Sequence, residues 1–280
     1  MIDDVASFSI CSTQSIVTNA IINAKIESKK LQFGAKKCYN IHIGTNKVCC
    51  QGLKVHEGDI NQKDHETYLG DVLCSSGSNN RNIQNRTNRG VGAVSEIIST
   101  LSQVSLGHFH FEMALIFRDS SLISKLVYSS EVWYNITNNQ YTKLEEIDEM
   151  FMRKIFNLPR SAPRVSLYAE CGKIPVRYII KTRRLLYYWH ILHLEEHKLV
   201  YKFYLGQKLK PSNNVWILTV KNDMDEIGLQ MTQKEIKEMS QEQFRAIVKS
   251  KIDICVSNYL LSKRGSKYAQ LNFDINSQKS

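Results

Sequence analysis

Proline and glycine are scarce in this chain, at four and thirteen of 280 residues. That scarcity excludes collagen-like and low-complexity classes and favours long regular elements over many short strands joined by tight turns. Cysteine is present without order. The seven cysteines, Cys11, Cys38, Cys49, Cys50, Cys74, Cys171 and Cys255, form no paired CxxC knuckles, so neither a disulfide framework nor a zinc ribbon is supported. His42, His56 and His65 fall near Cys49 and Cys50 but lack zinc-ligand spacing. No uninterrupted apolar run is long enough to span a bilayer. The opening residues are acidic, unlike the basic start of a signal peptide. These absences lead us to expect an intracellular protein, in cytoplasm or nucleus, with no membrane partner. There is no internal repeat, no P-loop and no dinucleotide fingerprint.

Positive charge is what the chain has in excess: 37 Lys and Arg stand against 27 Asp and Glu, a net +10. Such a balance suits a polyanionic partner, because each cation set against a phosphate releases condensed counterions. Hydrophobic residues make up 42%, enough for an ordinary packed core.

The periodicity changes once along the chain. Val5 to Ile10 alternates as a strand, and a helix follows to about Leu31, with Ile16, Val17, Ala20, Ile21 and Ala24 on one face. Tyr39 to Ile43 reads as a second strand, Val48 to Val55 as a weaker one, and Glu57 to Glu66 as a polar loop. Tyr68 to Leu73 reads as a further strand. From about Asn79 the period is helical. One helix carries Ile83, Val91, Val94, Ile97, Ile98 and Leu101, and a second runs from near His108 to Tyr128. A third begins at Thr137 or Asn138 with Leu144, Ile147, Phe151 and Ile155 inward, and Pro159 lies beyond its end. Pro175 opens a fourth. Weaker helices follow around Val215 to Ile227, Lys234 to Met239 and Gln241 to Leu261.

The pair Asp3-Asp4, followed by an apolar strand, has the most chemical content. Adjacent carboxylates at a strand turn can hold divalent metal, and two metals can clamp both oxygens of a phosphoryl transfer. Read alone, the pair is more often a solvated surface feature. Its neighbours give it context. Met1-Ile2-Asp3-Asp4-Val5 is followed by Asn23-Ala24-Lys25-Ile26-Glu27, Lys37-Cys38-Tyr39-Asn40-Ile41-His42-Ile43-Gly44, Tyr68-Leu69-Gly70-Asp71 and then an all-helical stretch. In this order the segments resemble the palm of LINE-like (non-LTR) retrotransposon reverse transcriptases from the Asp-Asp motif onward. Ser130-Glu131-Val132-Trp133-Tyr134, Leu144-Glu145-Glu146-Ile147-Asp148 and Leu167-Tyr168-Ala169-Glu170-Cys171-Gly172-Lys173-Ile174-Pro175-Val176-Arg177 extend the likeness into the thumb and C-terminal region.

The resemblance implies roles for particular residues. Asp3 and Asp4 would be catalytic and bind Mg²⁺, Lys37 would lie near the incoming nucleotide, and Tyr68, Leu69 and Gly70 would belong to the hairpin that grips the primer. The basic helix with Arg177, Lys181, Arg183 and Arg184 would grip the RNA template and DNA primer. Arg153, Lys154, Arg160 and Arg164 would extend that patch, whereas Tyr178 and Trp189 read as core. Met1 stands where the family has an aromatic or another large residue, and nothing in the sequence matches the family's other metal-binding Asp or its fingers.

The expected fold is therefore α+β and mostly α. Residues 1–75 form a small palm-like α/β remnant, 76–265 a helical thumb-like bundle with the C-terminal region, and 266–280 a polar tail. The expected function is a fragment of an RNA-directed DNA polymerase that does not polymerise alone, because half a metal cage orients its ions badly. The alternatives are a non-enzymatic nucleic-acid-binding protein derived from a retroelement, or an inert product of a degraded element.

Overall fold

The computed structural model describes residues 38–41, 54–55, 58–103, 110–209 and 216–263. Asp3, Asp4 and Lys37, and the strand and helix expected before Leu31, lie outside the described residues. The chain divides into two compact units, Met1–Asn85 and Arg86–Ser280. The described residues are mostly helical, with small two-stranded sheets, an α+β arrangement dominated by α.

The first unit holds short strands: β1 (Tyr39–Asn40), β2 (Lys54–Val55), β3 (Gly58–Asp59), β4 (Asn61–Gln62), β5 (His65–Tyr68) and β6 (Asp71–Cys74). β1 pairs in parallel with β4, and β2 pairs with β3 antiparallel. β5 and β6 form an antiparallel hairpin whose register runs from His65 opposite Cys74 to Tyr68 opposite Asp71. Two expectations change here. The stretch read as a polar loop contributes β3, β4 and the start of β5, and the single strand expected over Tyr68 to Leu73 is broken by a two-residue turn. Leu69 and Gly70 both take positive φ, 47° and 86°, the mirror-image turn whose twist matches that of paired strands.

Helix α1 (Asn80–Gln103) starts in the first unit and continues into the second. Its first turn clasps the hairpin: Asn82 Nδ2 donates to Asp71 Oδ1 at 3.1 Å, and Arg81 Nη1 lies 2.7 Å from the His65 ring.

In the second unit, α2 (His110–Phe117), a π-helical turn (Arg118–Leu122) and α3 (Ile123–Leu126) make up the helix expected from His108 to Tyr128. Arg118 and Leu122, four residues apart on this turn, are both buried. A 3₁₀ turn (Ser130–Val132) leads to α4 (Asn138–Ile155). Thr137 caps α4 reciprocally with Gln140, satisfying donors at the first turn. α4 stops where Asn157 turns left-handed and Leu158 N–H bonds back to Arg153 O at 2.9 Å, just before Pro159.

α5 (Arg164–Cys171) ends at Gly172, at φ 59°, and α6 (Val176–Leu192) starts after Pro175. The chain continues through α7 (Leu199–Leu209), α8 (Trp216–Glu226), α9 (Gln233–Glu238) and α10 (Gln241–Lys263). α6 is the axis of this unit, packed by α4, α7, α8, α9, α10 and the 3₁₀ turn. Val176, Ile180, Leu185, Tyr188 and Ile191 supply its buried apolar packing. No helix among the described residues is long and apolar enough to cross a membrane.

Candidate functional site

At the hairpin tip, Tyr68 closes β5 and is half-buried, while Leu69 is 59% exposed. Left-handed backbone is unfavourable for a branched side chain, and an exposed leucine gains little from burial to offset it. Of the residues implied by the resemblance, Tyr68, Leu69 and Gly70 share one turn and lie together.

The basic helix behaves differently from its expected role as a surface. Because α6 is packed on many sides, its cations cannot all face solvent. Lys181 is 3% exposed and Arg184 0%. Both turn toward α8, where Arg184 Nη1 pairs with Asp223 and Lys181 Nζ pairs with Glu226. Arg177 forms a two-pronged pair with Glu145 of α4, Nε to Oε1 at 2.7 Å and Nη2 to Oε2 at 2.8 Å. Arg183 is exposed, with Nη1 donating to Val127 O at 2.5 Å. Burial thus takes Lys181 and Arg184 out of the set that can lie along a phosphate backbone, since two buried cations without their carboxylates would be costly. Tyr178 is buried edge-on to Tyr259, and Trp189 is half-buried with Nε1 donating to Met239 O at 3.1 Å.

The carboxylates that hold these cations do not stand out as a group in the sequence. Glu145, Asp148 and Glu149 are buried on α4, and Asp223 on α8. Arg118, from the π-helical turn, reaches Asp148 with Nε at 2.7 Å and Nη2 at 2.6 Å, and Tyr168 of α5 donates to Asp148 Oδ2 at 3.1 Å. Burial opposes the Arg118 charge, and the adjacent Asp148 more than offsets it, so the guanidinium pKa rises above its ordinary value. Arg164 approaches Glu149 at 2.5 Å, and Arg153 lies 3.6 Å from the same carboxyl. Even so, burial pushes the Glu149 pKa up to about 7 and raises that of Asp223. The one sequence signal for them is the spacing of Glu145, Asp148 and Glu149, three and four residues apart on one helical face. With those acids inside, Ile147 and Ile155 are half-buried rather than central.

Arg153 also donates to Ala162 O at 2.6 Å, which ties down the loop between α4 and α5. Arg164 is held by Glu145 and Glu149. Lys154 and Arg160 are exposed on that loop and its margin. A cavity of about 320 Å³ opens beside the α6–α8 pairs, lined by Tyr141, Arg177, Lys181, Asn222, Asp223 and Glu226 among others. Its cations and carboxylates neutralise one another, so it offers no surplus charge to a ligand.

For Mg²⁺, the expected donors Asp3 and Asp4 lie outside the described residues. Among the described residues, no three His, Cys, Asp or Glu side chains converge as a metal would require. Compared with protein-family models, curated proteins and solved structures, the chain matches none.

Proposed function

We propose that the chain is part of the reverse transcriptase of a non-LTR retrotransposon and that its own activity is to hold a primed RNA template. In this reading the first unit belongs to the palm and the second to the thumb and C-terminal region. The observation that carries the proposal is the β5–β6 hairpin. The Tyr68-Leu69-Gly70-Asp71 segment, matched to a primer-gripping hairpin by resemblance, sits at the tip of an antiparallel pair with Leu69 displayed to solvent. The net charge of +10 supports the same reading.

Asp3 and Asp4 are the residues that would hold Mg²⁺, which would supply charge neutralisation at the transferred phosphoryl group. Tyr68, Leu69 and Gly70 would position the primer strand. Arg183, Lys154 and Arg160, which are exposed, would meet phosphates, while Lys181 and Arg184 act only through the packing of α6. The test is equilibrium binding of a DNA primer annealed to an RNA template. We expect binding that weakens steeply with salt; its absence, or indifference to salt, overturns the proposal.

A further inference from the structure

Helix α6 ends at Leu192, and two side chains four residues apart tie that end to the end of α9. Trp189 Nε1 donates to Met239 O at 3.1 Å. One turn on, the His193 ring places Nδ1 2.8 Å from Trp189 O and Nε2 3.1 Å from Lys237 O. Trp189 O and Lys237 O belong to the last four carbonyls of α6 and α9, which lack partners within their own helices. A carbonyl oxygen only accepts, so both ring nitrogens must donate, and only the protonated imidazolium can do that. In the neutral ring one nitrogen presents a lone pair to a carbonyl at hydrogen-bond distance, and that contact is repulsive. The ring also lies across the Trp189 indole, with centroids 3.9 Å apart and planes 26° apart. An indole face attracts a cation and so favours the same charged form.

We propose that His193 is a proton-operated latch between α6 and α9: charged, it bridges the two helix ends, and neutral, it keeps a single donor and the bridge is broken. No other acceptor competes for that charge, since among the described residues no carboxylate forms an ion pair with the ring. The ionisable groups of the surrounding elements are engaged elsewhere or exposed. On α9, Lys237 turns its ammonium to the Tyr201 ring, Lys234 pairs with Glu238, and Glu235 completes the cap at the far end with Thr232. Lys208 of α7 bonds Gln233, also at that far end. After α6, Glu195 pairs with His197 at 3.1 Å, and Glu196 is exposed. His190 of α6 lies against Tyr187, and Glu242 in the first turn of α10 is exposed. Histidine exchanges its proton near pH 6.5, so the bridge is complete below that range and is lost as pH rises through it. The latch involves α6 and α9 alone and is independent of nucleic-acid binding.

Amide hydrogen exchange of the full chain and of its His193→Gln variant, corrected for the intrinsic rate at each pH, tests it. Glutamine carries one donor nitrogen and no charge, and the position is exposed, so the fold is expected to be retained. At about pH 5.5 the α9 amides should be roughly two- to fivefold less protected in the variant than in the wild type. At about pH 8, where the histidine too is neutral, the two proteins should agree. Amides of α4 should be protected alike in both proteins at either pH. Equal protection of α9 at the lower pH, or a deficit of the same size at both, overturns the proposal. Loss of protection in α4 together with α9 also overturns it, because the ring would then hold the bundle as a whole.

Discussion

Leu69 adopts an unfavourable backbone conformation while its side chain stays largely in solvent: its φ of 47° is left-handed and its side chain is more than half exposed. The left-handed conformation costs an ordinary residue about 1–2 kcal/mol, and Asn tolerates it far better. Leu69→Asn makes an Asn-Gly turn at the hairpin tip, the pair most suited to two successive positive φ angles. We expect it to stabilise the chain by about 0.5–1 kcal/mol in urea denaturation. A destabilised variant would show that the leucine side chain contributes more than its backbone costs. Asn157, which ends α4 at a φ of 49°, already has the side chain suited to its conformation.

Glu149 carries the clearest pH dependence. Burial holds its folded pKa near 7, against an ordinary value of about 4.5. Between those values the folded chain keeps a proton that the unfolded chain has released. The stability contributed is full below about pH 4.5 and is lost as pH rises to about 7. Asp223, also raised by burial, acts with the same sign. Glu149→Gln should flatten the decline in urea midpoint over this window. An unchanged decline in that variant would mean that Arg164 and Arg153 keep the carboxyl ionised throughout.

Gly90 of α1 marks a close approach between helices. A Cβ there would lie 2.6 Å from Leu126 Cδ2 and 2.9 Å from Ile147 Cγ2, while two residues on, at Gly92, it would meet nothing. Leu126 is fully buried and has no room to yield. Gly90→Ala should therefore destabilise the chain by about 1–3 kcal/mol through overpacking. Gly92→Ala should stabilise it by about 0.5–1 kcal/mol through helix propensity. Thermal melts of the two variants moving in the same direction would contradict this placement of α1.

Local chemistry is also what makes some elements legible in the sequence. Thr137 with Gln140, Pro159 beyond α4 and Pro175 before α6 all mark helix ends through groups within a few residues. α7 escapes a periodicity reading because its apolar residues surround the helix and leave no amphipathic stripe, and α5 because it is one short segment between prolines. The hairpin turn is hidden inside an apolar run. The inward acids of α4 cannot be told from the sequence because their partners are distant: Glu145 meets Arg177 and Asp148 meets Arg118, pairings that only tertiary packing creates.

Over the whole molecule, the net +10 is not carried by the buried charges: among the described residues, buried Arg86, Arg118, Lys181 and Arg184 are matched in number by Glu145, Asp148, Glu149 and Asp223. By sequence α6 resembles a phosphate-binding face because its cations lie among aromatics. Its central position instead directs Lys181 and Arg184 into carboxylates of α8, and Arg177 into α4. Breaking such a buried pair by removing one partner costs about 3–5 kcal/mol, so substitutions there report on folding before they report on binding. Cations at the surface, among them Lys154, Arg160 and Arg183, are where binding to phosphate is to be sought.

The salt dependence of primed-template binding tests the central claim most directly. The measurement compares the full chain with the Lys154→Gln, Arg160→Gln, Arg183→Gln triple variant. The wild-type binding constant is predicted to fall steeply with salt. The variant's slope is predicted to be shallower by about 0.7–0.9 for each phosphate that it no longer neutralises. Absence of binding at low salt, or binding indifferent to salt, would contradict the claim that this chain holds a nucleic acid.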